Sequence, residues 1–175
     1  MTLEKDGVRL TFPEDWDARE WDTSNSFHSR HVKRTRNNLR SVDIVAFDPI
    51  SKELWLIEIK DYSHHKRTDP TPLQDTLAEK AIDTMGSVHV AARTGLTDAH
   101  PDVFAARSIV ALSERVHFVY IGMEPANPTK LWGTGINTID LRIALRQRIR
   151  CIDAHPLVVD TAHWPRELQW TAEKL

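Results

Sequence analysis

Two short runs decide what this chain can fold into. Residues 41–47 (SVDIVAF) and 53–60 (ELWLIEIK) are dense in β-branched, aliphatic and aromatic side chains, with DPISKE between them. Such runs favour extended backbone, and Asp48-Pro49 is a turn-initiating pair. The expectation is an antiparallel hairpin. Three charged residues, Asp43, Glu58 and Lys60, stand inside its strands, although burying an unpaired charge is expensive. Register accounts for them. With the turn centred between Asp48 and Glu53, Asp43 falls directly across from Glu58, and cross-strand partners share a face of the sheet. Lys60 is two residues beyond Glu58 and shares that face as well. Leu54 and Leu56 lie on it too, which argues for core against the plain alternative of a surface ion pair. Trp55 alternates onto the opposite face.

Two facing carboxylates repel, and one pKa rises unless a cation lies between them. Mg²⁺ suits that position, being a hard ion that takes oxygen ligands and keeps several waters; Mn²⁺ is expected to substitute. An ammonium in the same small volume can hold a water or stabilise an oxyanion developing on a phosphate. Metal, activated water and a nearby cation are the parts needed for phosphodiester hydrolysis.

An Asp, a short hairpin and then Glu-x-Lys is the pattern of the PD-(D/E)XK nuclease superfamily, and Asp43 followed by Glu58-Ile59-Lys60 resembles it. The resemblance implies that Asp43 and Glu58 ligate the metal, with the Ile59 carbonyl as a further ligand. Lys60 would then position the attacking water or stabilise the transition state. It implies a restriction-endonuclease-like core: a helix, a three-strand meander, a helix and a further strand, with a mixed central sheet and helices on both faces. Val42 stands where the family name has Pro. Many members carry a glutamate on the first helix; Glu20 is the choice here, with Glu14 and Asp17 competing. Some subgroups place a Gln on the helix after the motif, a role Gln74 could fill. The likeness spans roughly residues 15–123.

The rest of the chain reads as one α/β domain over residues 1–175. Val8, Leu10 and Phe12 alternate in a short strand ended by Pro13, and Trp16, Arg19 and Glu20 could share a short helix. A loop follows the hairpin. Thr71 can cap a helix with Pro72 at its first position. That helix runs to about Arg93 and ends at Gly95, with Leu73, Leu77, Ala81 and Met85 as its core stripe and Gly86 as a weak point. RVHFVYIGM (115–123) is a central strand candidate. A second helix runs from near Thr138 through Arg150, burying Leu141, Leu145 and Ile149, and PLVVD is the final strand expected.

A net charge of −2 neither demands nor forbids a polyanionic partner, but it conceals a basic stripe. Residues 28–40 carry Arg30, Lys33, Arg34, Arg36 and Arg40 with no acid, a stretch that could follow the phosphates of DNA. Five acids crowd residues 14–22 instead: Glu14, Asp15, Asp17, Glu20 and Asp22. Arg142, Arg146 and Arg150 read better as a solvated helix face. His28 with His31, and His64 with His65, lack the further ligands a zinc site needs. Gly133-Thr134-Gly135 reads as a turn. The six tryptophans read most simply as core and edge packing, with Trp16 or Trp21 as the alternative rings for base stacking. The single cysteine, Cys151, leaves no internal disulfide, so a reducing cytoplasmic home is expected, and no apolar run approaches a membrane span. A nuclease that cuts both strands needs a second active site, hence a homodimer or a larger phage-defence or repair complex. The alternatives are a non-catalytic nuclease-like module that binds nucleic acid or protein, and an immunity- or antitoxin-type partner using the acidic segment.

Overall fold

The computed structural model describes residues 1–36, 38–63, 67–95, 100–123 and 137–175; His64, His65 and the Gly133–Gly135 turn lie outside them. The expected hairpin forms β4 (Ile44–Asp48) and β5 (Glu53–Asp61), paired Ile44 to Ile57 and Asp48 to Glu53. The side chain of Asp48 builds its turn, with Oδ1 accepting from the Ile50 and Ser51 amides at 2.8 and 3.1 Å. Lys52 closes the turn in the left-handed region, at φ 57°.

β3 (Asp17–Glu20) joins the other edge of β4 antiparallel. Residues 17–20 are therefore strand, and the short helix expected from Trp16 to Glu20 does not form. Trp16 and Ala18 are buried at alternate positions, a period of two that only an extended chain satisfies. Beyond β5, β6 (Arg115–Met123) and β7 (Leu157–Val159) continue the sheet in parallel. The result is a mixed five-stranded sheet in the order β3-β4-β5-β6-β7.

A second sheet combines β1 (Thr2–Lys5), β2 (Val8–Thr11) and β8 (Thr171–Lys174), all antiparallel. Asp6-Gly7 turns β1 into β2 with both residues at positive φ, the signature of a two-residue hairpin turn. β7 is thus not the last strand of the chain.

The helices α1 (Leu73–Arg93), α2 (Pro101–Leu112) and α3 (Thr138–Ile149) come from three separate segments. Pro72 stands at the N-cap of α1, one position earlier than expected, and Thr71 does not cap it. α2 was not anticipated, although Pro101 at its start and Val103, Ala106 and Ile109 on one face announce it. α3 is capped by Asn137, whose side chain accepts from Ile139 and Asp140.

Alternation along β5 divides the molecule. Leu54 and Leu56 pack with Leu77 and Ala81 of α1, Ile109 of α2 and Leu145 of α3. Trp55, Ile57 and Ile59 face Val8, Leu10, Trp170 and Ala172 of the small sheet and its approach. In place of helices on both faces, the described helices share one core and a sheet covers the other. Among the described residues no helix is long and apolar enough to cross a membrane.

Candidate active site

β4 ends its pairing one residue after Asp43, while β5 runs on through Glu58 to Asp61. The backbone of Ile59 therefore has no strand partner on the β4 side, and the Asp43 side chain fills the gap: its Oδ2 accepts from the Ile59 amide at 2.8 Å. The Asp43 carbonyl takes the Trp21 amide at 2.8 Å, tying the loop after β3 to the same point. In a strand the N–H and C=O of one residue point to the same edge, so the Ile59 carbonyl faces this gap as well.

Glu58 is fully buried and Asp43 nearly so. Lys60 Nζ lies 2.9 Å from Glu58 Oε1, 3.7 Å from Asp43 Oδ2 and 3.9 Å from Asp6 Oδ2. The three residues of the expected motif are thus gathered on the helix-covered face. Lys60, 31% exposed, is their link to solvent. Burial, and then the Asp43 charge, push the Glu58 carboxyl up to about 7, although Lys80 and Lys60 act in the opposite direction. Burial works against the Lys60 ammonium, but Glu58 and Asp43 outweigh it and hold its pKa above the usual lysine range.

Lys80 was not foreseen. From the third turn of α1 this side chain enters the core face, where Nζ meets both Glu58 oxygens at 2.6 and 2.8 Å. Its place follows from the stripe itself: Lys80 stands three residues after Leu77, at the edge of the buried face. Thr84, one turn further on, donates to the Lys80 carbonyl and accepts from the Val42 amide at 2.9 Å. Asp83 accepts from the Arg40 amide at 2.9 Å. These bonds fasten α1 to the chain that enters β4.

Asp22 is the acid of the 14–22 stretch that reaches this side of the sheet. Burial alone would raise its carboxyl, but a hydrogen bond and the charge of Lys33, followed by the charges of Lys80 and His28, leave it below the usual range. Glu20 is not brought to the pair. It stands opposite Ile44 on β3, a residue of the other core, and its carboxylate lies 3.8 Å from Lys5. Glu14 is exposed, and Asp17 pairs with Arg19 at 2.8 Å.

The basic stripe divides in two. Lys33 is bound to Asp22 at 2.6 Å, and Arg40 lies 3.4 Å from Asp69. Arg30, Arg34 and Arg36 are exposed. Arg30 lines a cleft of about 790 Å³ together with Arg19, Glu20, His31, His100 and Asp102. Gln74, half-buried in the first turn of α1, makes none of the site's hydrogen bonds described above. Trp16 and Trp21 are buried, so neither offers a face for stacking. Trp21 instead donates to Ser87 Oγ at 3.1 Å, which His28 Nδ1 also meets at 3.1 Å. Arg142 and Arg146 are exposed on α3 and Arg150 at its C-cap, as a solvated face requires.

Among the described residues no three His, Cys, Asp or Glu side chains gather as a metal cluster. The oxygens available here are two carboxylates and a carbonyl. That set fits Mg²⁺, which commonly takes one or two carboxylates and completes its shell with water. Soft-metal sites need other donors. The chain matches no protein-family model, no curated protein and no solved structure.

Proposed function

We propose that this chain is a metal-dependent nuclease of the PD-(D/E)XK type that hydrolyses phosphodiester bonds in DNA. The observation that carries this reading is the convergence of Asp43, Glu58 and Lys60 at the frayed end of the β4–β5 hairpin. The order of a three-strand meander, a helix and a parallel strand supports it. The strand at residues 17–20, where the resemblance implies a helix, departs from it.

In this reading Asp43 and Glu58, with the Ile59 carbonyl, hold Mg²⁺ or Mn²⁺. A bound Mg²⁺ there supplies Lewis acidity and lowers the pKa of a coordinated water. Lys60, charged and half-exposed beside both carboxylates, orients that water or meets charge developing on the phosphate. Asp43 also holds the Ile59 amide, so the same carboxylate keeps the carbonyl beside it in place. Arg30, Arg34 and Arg36 supply exposed cations for the flanking phosphates. A second copy, or a phage-defence or repair complex, would provide the second cut.

The test is cleavage of linear and circular DNA, single- and double-stranded, with Mg²⁺, Mn²⁺ or EDTA, by wild type, Asp43→Ala and Lys60→Ala. Metal-dependent cutting lost in both variants is expected. No cutting by folded wild type that still binds DNA rejects it in favour of a non-catalytic module. One observation favours that second reading: two ammonium groups already neutralise Glu58. The immunity-type alternative finds less support, since Asp17, Glu20 and Asp22 of its acidic segment are engaged by Arg19, Lys5 and Lys33.

A further inference from the structure

Glu58 has no solvent to share its charge, and its two oxygens are taken up by ammonium groups from two different elements. Lys60 comes from its own strand. Lys80 comes from α1, with a side chain only 11% exposed. Asp43, Glu58, Lys60 and Lys80 together make a formally neutral cluster. A divalent cation added to it would leave two surplus positive charges at a buried position, and uncompensated buried charge is strongly unfavourable. Loading the carboxylate pair therefore requires an ammonium to move.

The two lysines are not equally free to do so. Lys60 is shared among Glu58, Asp43 and Asp6 and is retained by the last two if it leaves the first. Lys80 holds Glu58 alone among its described ion pairs. It has a flexible four-carbon stem that can carry the ammonium away from Glu58.

We propose that Lys80 is a built-in counter-cation, which occupies Glu58 until a divalent ion binds between Asp43 and Glu58 and then gives that carboxylate up. Lys80 keeps its proton throughout; the divalent ion takes its place on Glu58. The inference rests on the reading of Asp43 and Glu58 as metal ligands. Its consequence is a site whose resting form is stable without metal, and whose metal affinity is set by a residue that never touches the metal. Lys80 is in this sense a positioning residue.

The experiment measures Mn²⁺ binding by electron paramagnetic resonance in the absence of DNA, on wild type and Lys80→Met freed of metal by EDTA. Lys80→Met removes a charge-assisted hydrogen-bond partner from Glu58, so it should bind Mn²⁺ about ten- to a hundredfold tighter than wild type. It should also gain more in melting temperature on adding Mn²⁺ than wild type does. If Lys80→Met folds only with Mn²⁺ present, the exchange is supported. If it does not fold at all, Lys80→Gln, which keeps a donor on Glu58 without the charge, must show the same tightening. Wild type binding Mn²⁺ with Lys80 variants no tighter overturns the exchange and leaves the nuclease reading standing. No Mn²⁺ binding by any of the proteins overturns both the exchange and the metal-dependent reading.

Discussion

Glu58 concentrates the chemistry of the site in one carboxyl. Burial and the neighbouring Asp43 raise it from an ordinary 4.5 to about 7. The folded chain then holds that proton more tightly than the unfolded chain across the interval. The stability it contributes is fully present below pH 4.5 and is lost as pH rises through 7. Relative to Glu58→Gln, wild type should lose on the order of 1–3 kcal/mol over that window and level off above it. Urea unfolding of both proteins at several pH values reads this directly. If Glu58 is a metal ligand as proposed, binding requires its ionised form, and Mg²⁺-dependent cleavage should rise as pH passes through about 7. Asp43 has two separable duties. Asp43→Asn keeps an oxygen to accept from the Ile59 amide and removes the charge, so it should fold like wild type, by circular dichroism, and fail to cut DNA.

At the scale of elements, the site depends on the attachment of α1 to the strand that carries Asp43. Thr84 both accepts from the Val42 amide and donates to the Lys80 carbonyl. Thr84→Val leaves the buried Val42 amide without an acceptor, which should cost about 1–3 kcal/mol in denaturant unfolding. The same helix contains a position with spare stability. Gly86 is exposed, and a Cβ built there meets nothing within 4 Å. Gly86→Ala should therefore raise stability by about 0.5–1 kcal/mol. α1 runs unbroken through this glycine to Arg93 because Leu77, Ala81, Val88 and Ala91 bury its face on both sides of it.

For the whole molecule, β2 lies between β1 and β8, so the two ends of the chain meet in one small sheet. That sheet covers the face of β5 opposite Glu58. Trp170, just before β8, is fully buried, with its ring centre 5.2 Å from Phe12 and 5.9 Å from Trp55. Trp170→Ala should cost about 3–5 kcal/mol, measured by chemical denaturation. If Asp43 and Glu58 hold a metal as proposed, the loss should weaken that binding as well, because the second layer holds Ile57 and Ile59 in place behind the site.

The hairpin was legible in the residues alone because everything that defines it is local. Asp48-Pro49 sets the turn, alternation sets the faces, and the register then brings Asp43 and Glu58 together. The Leu77 stripe of α1 and the apolar run of β6 were legible for the same reason. A glance at Asp6-Gly7 would have added β1, and Pro101 with its periodic apolar residues would have added α2. Residues 16–20 misled because mixed polar and aromatic side chains fit a helix as readily as an edge strand; pairing with β4 decided for the strand. The layer opposite the helices could not be read locally, since β8 completes it from the far end of the chain. Lys80 and Asp22 likewise reach the site only through tertiary packing. A sequence specifies spacing along the chain, so it announced Asp43, Glu58 and Lys60. Which ammonium answers a buried carboxylate depends on which helix crosses the sheet above it, and that only the folded molecule decides.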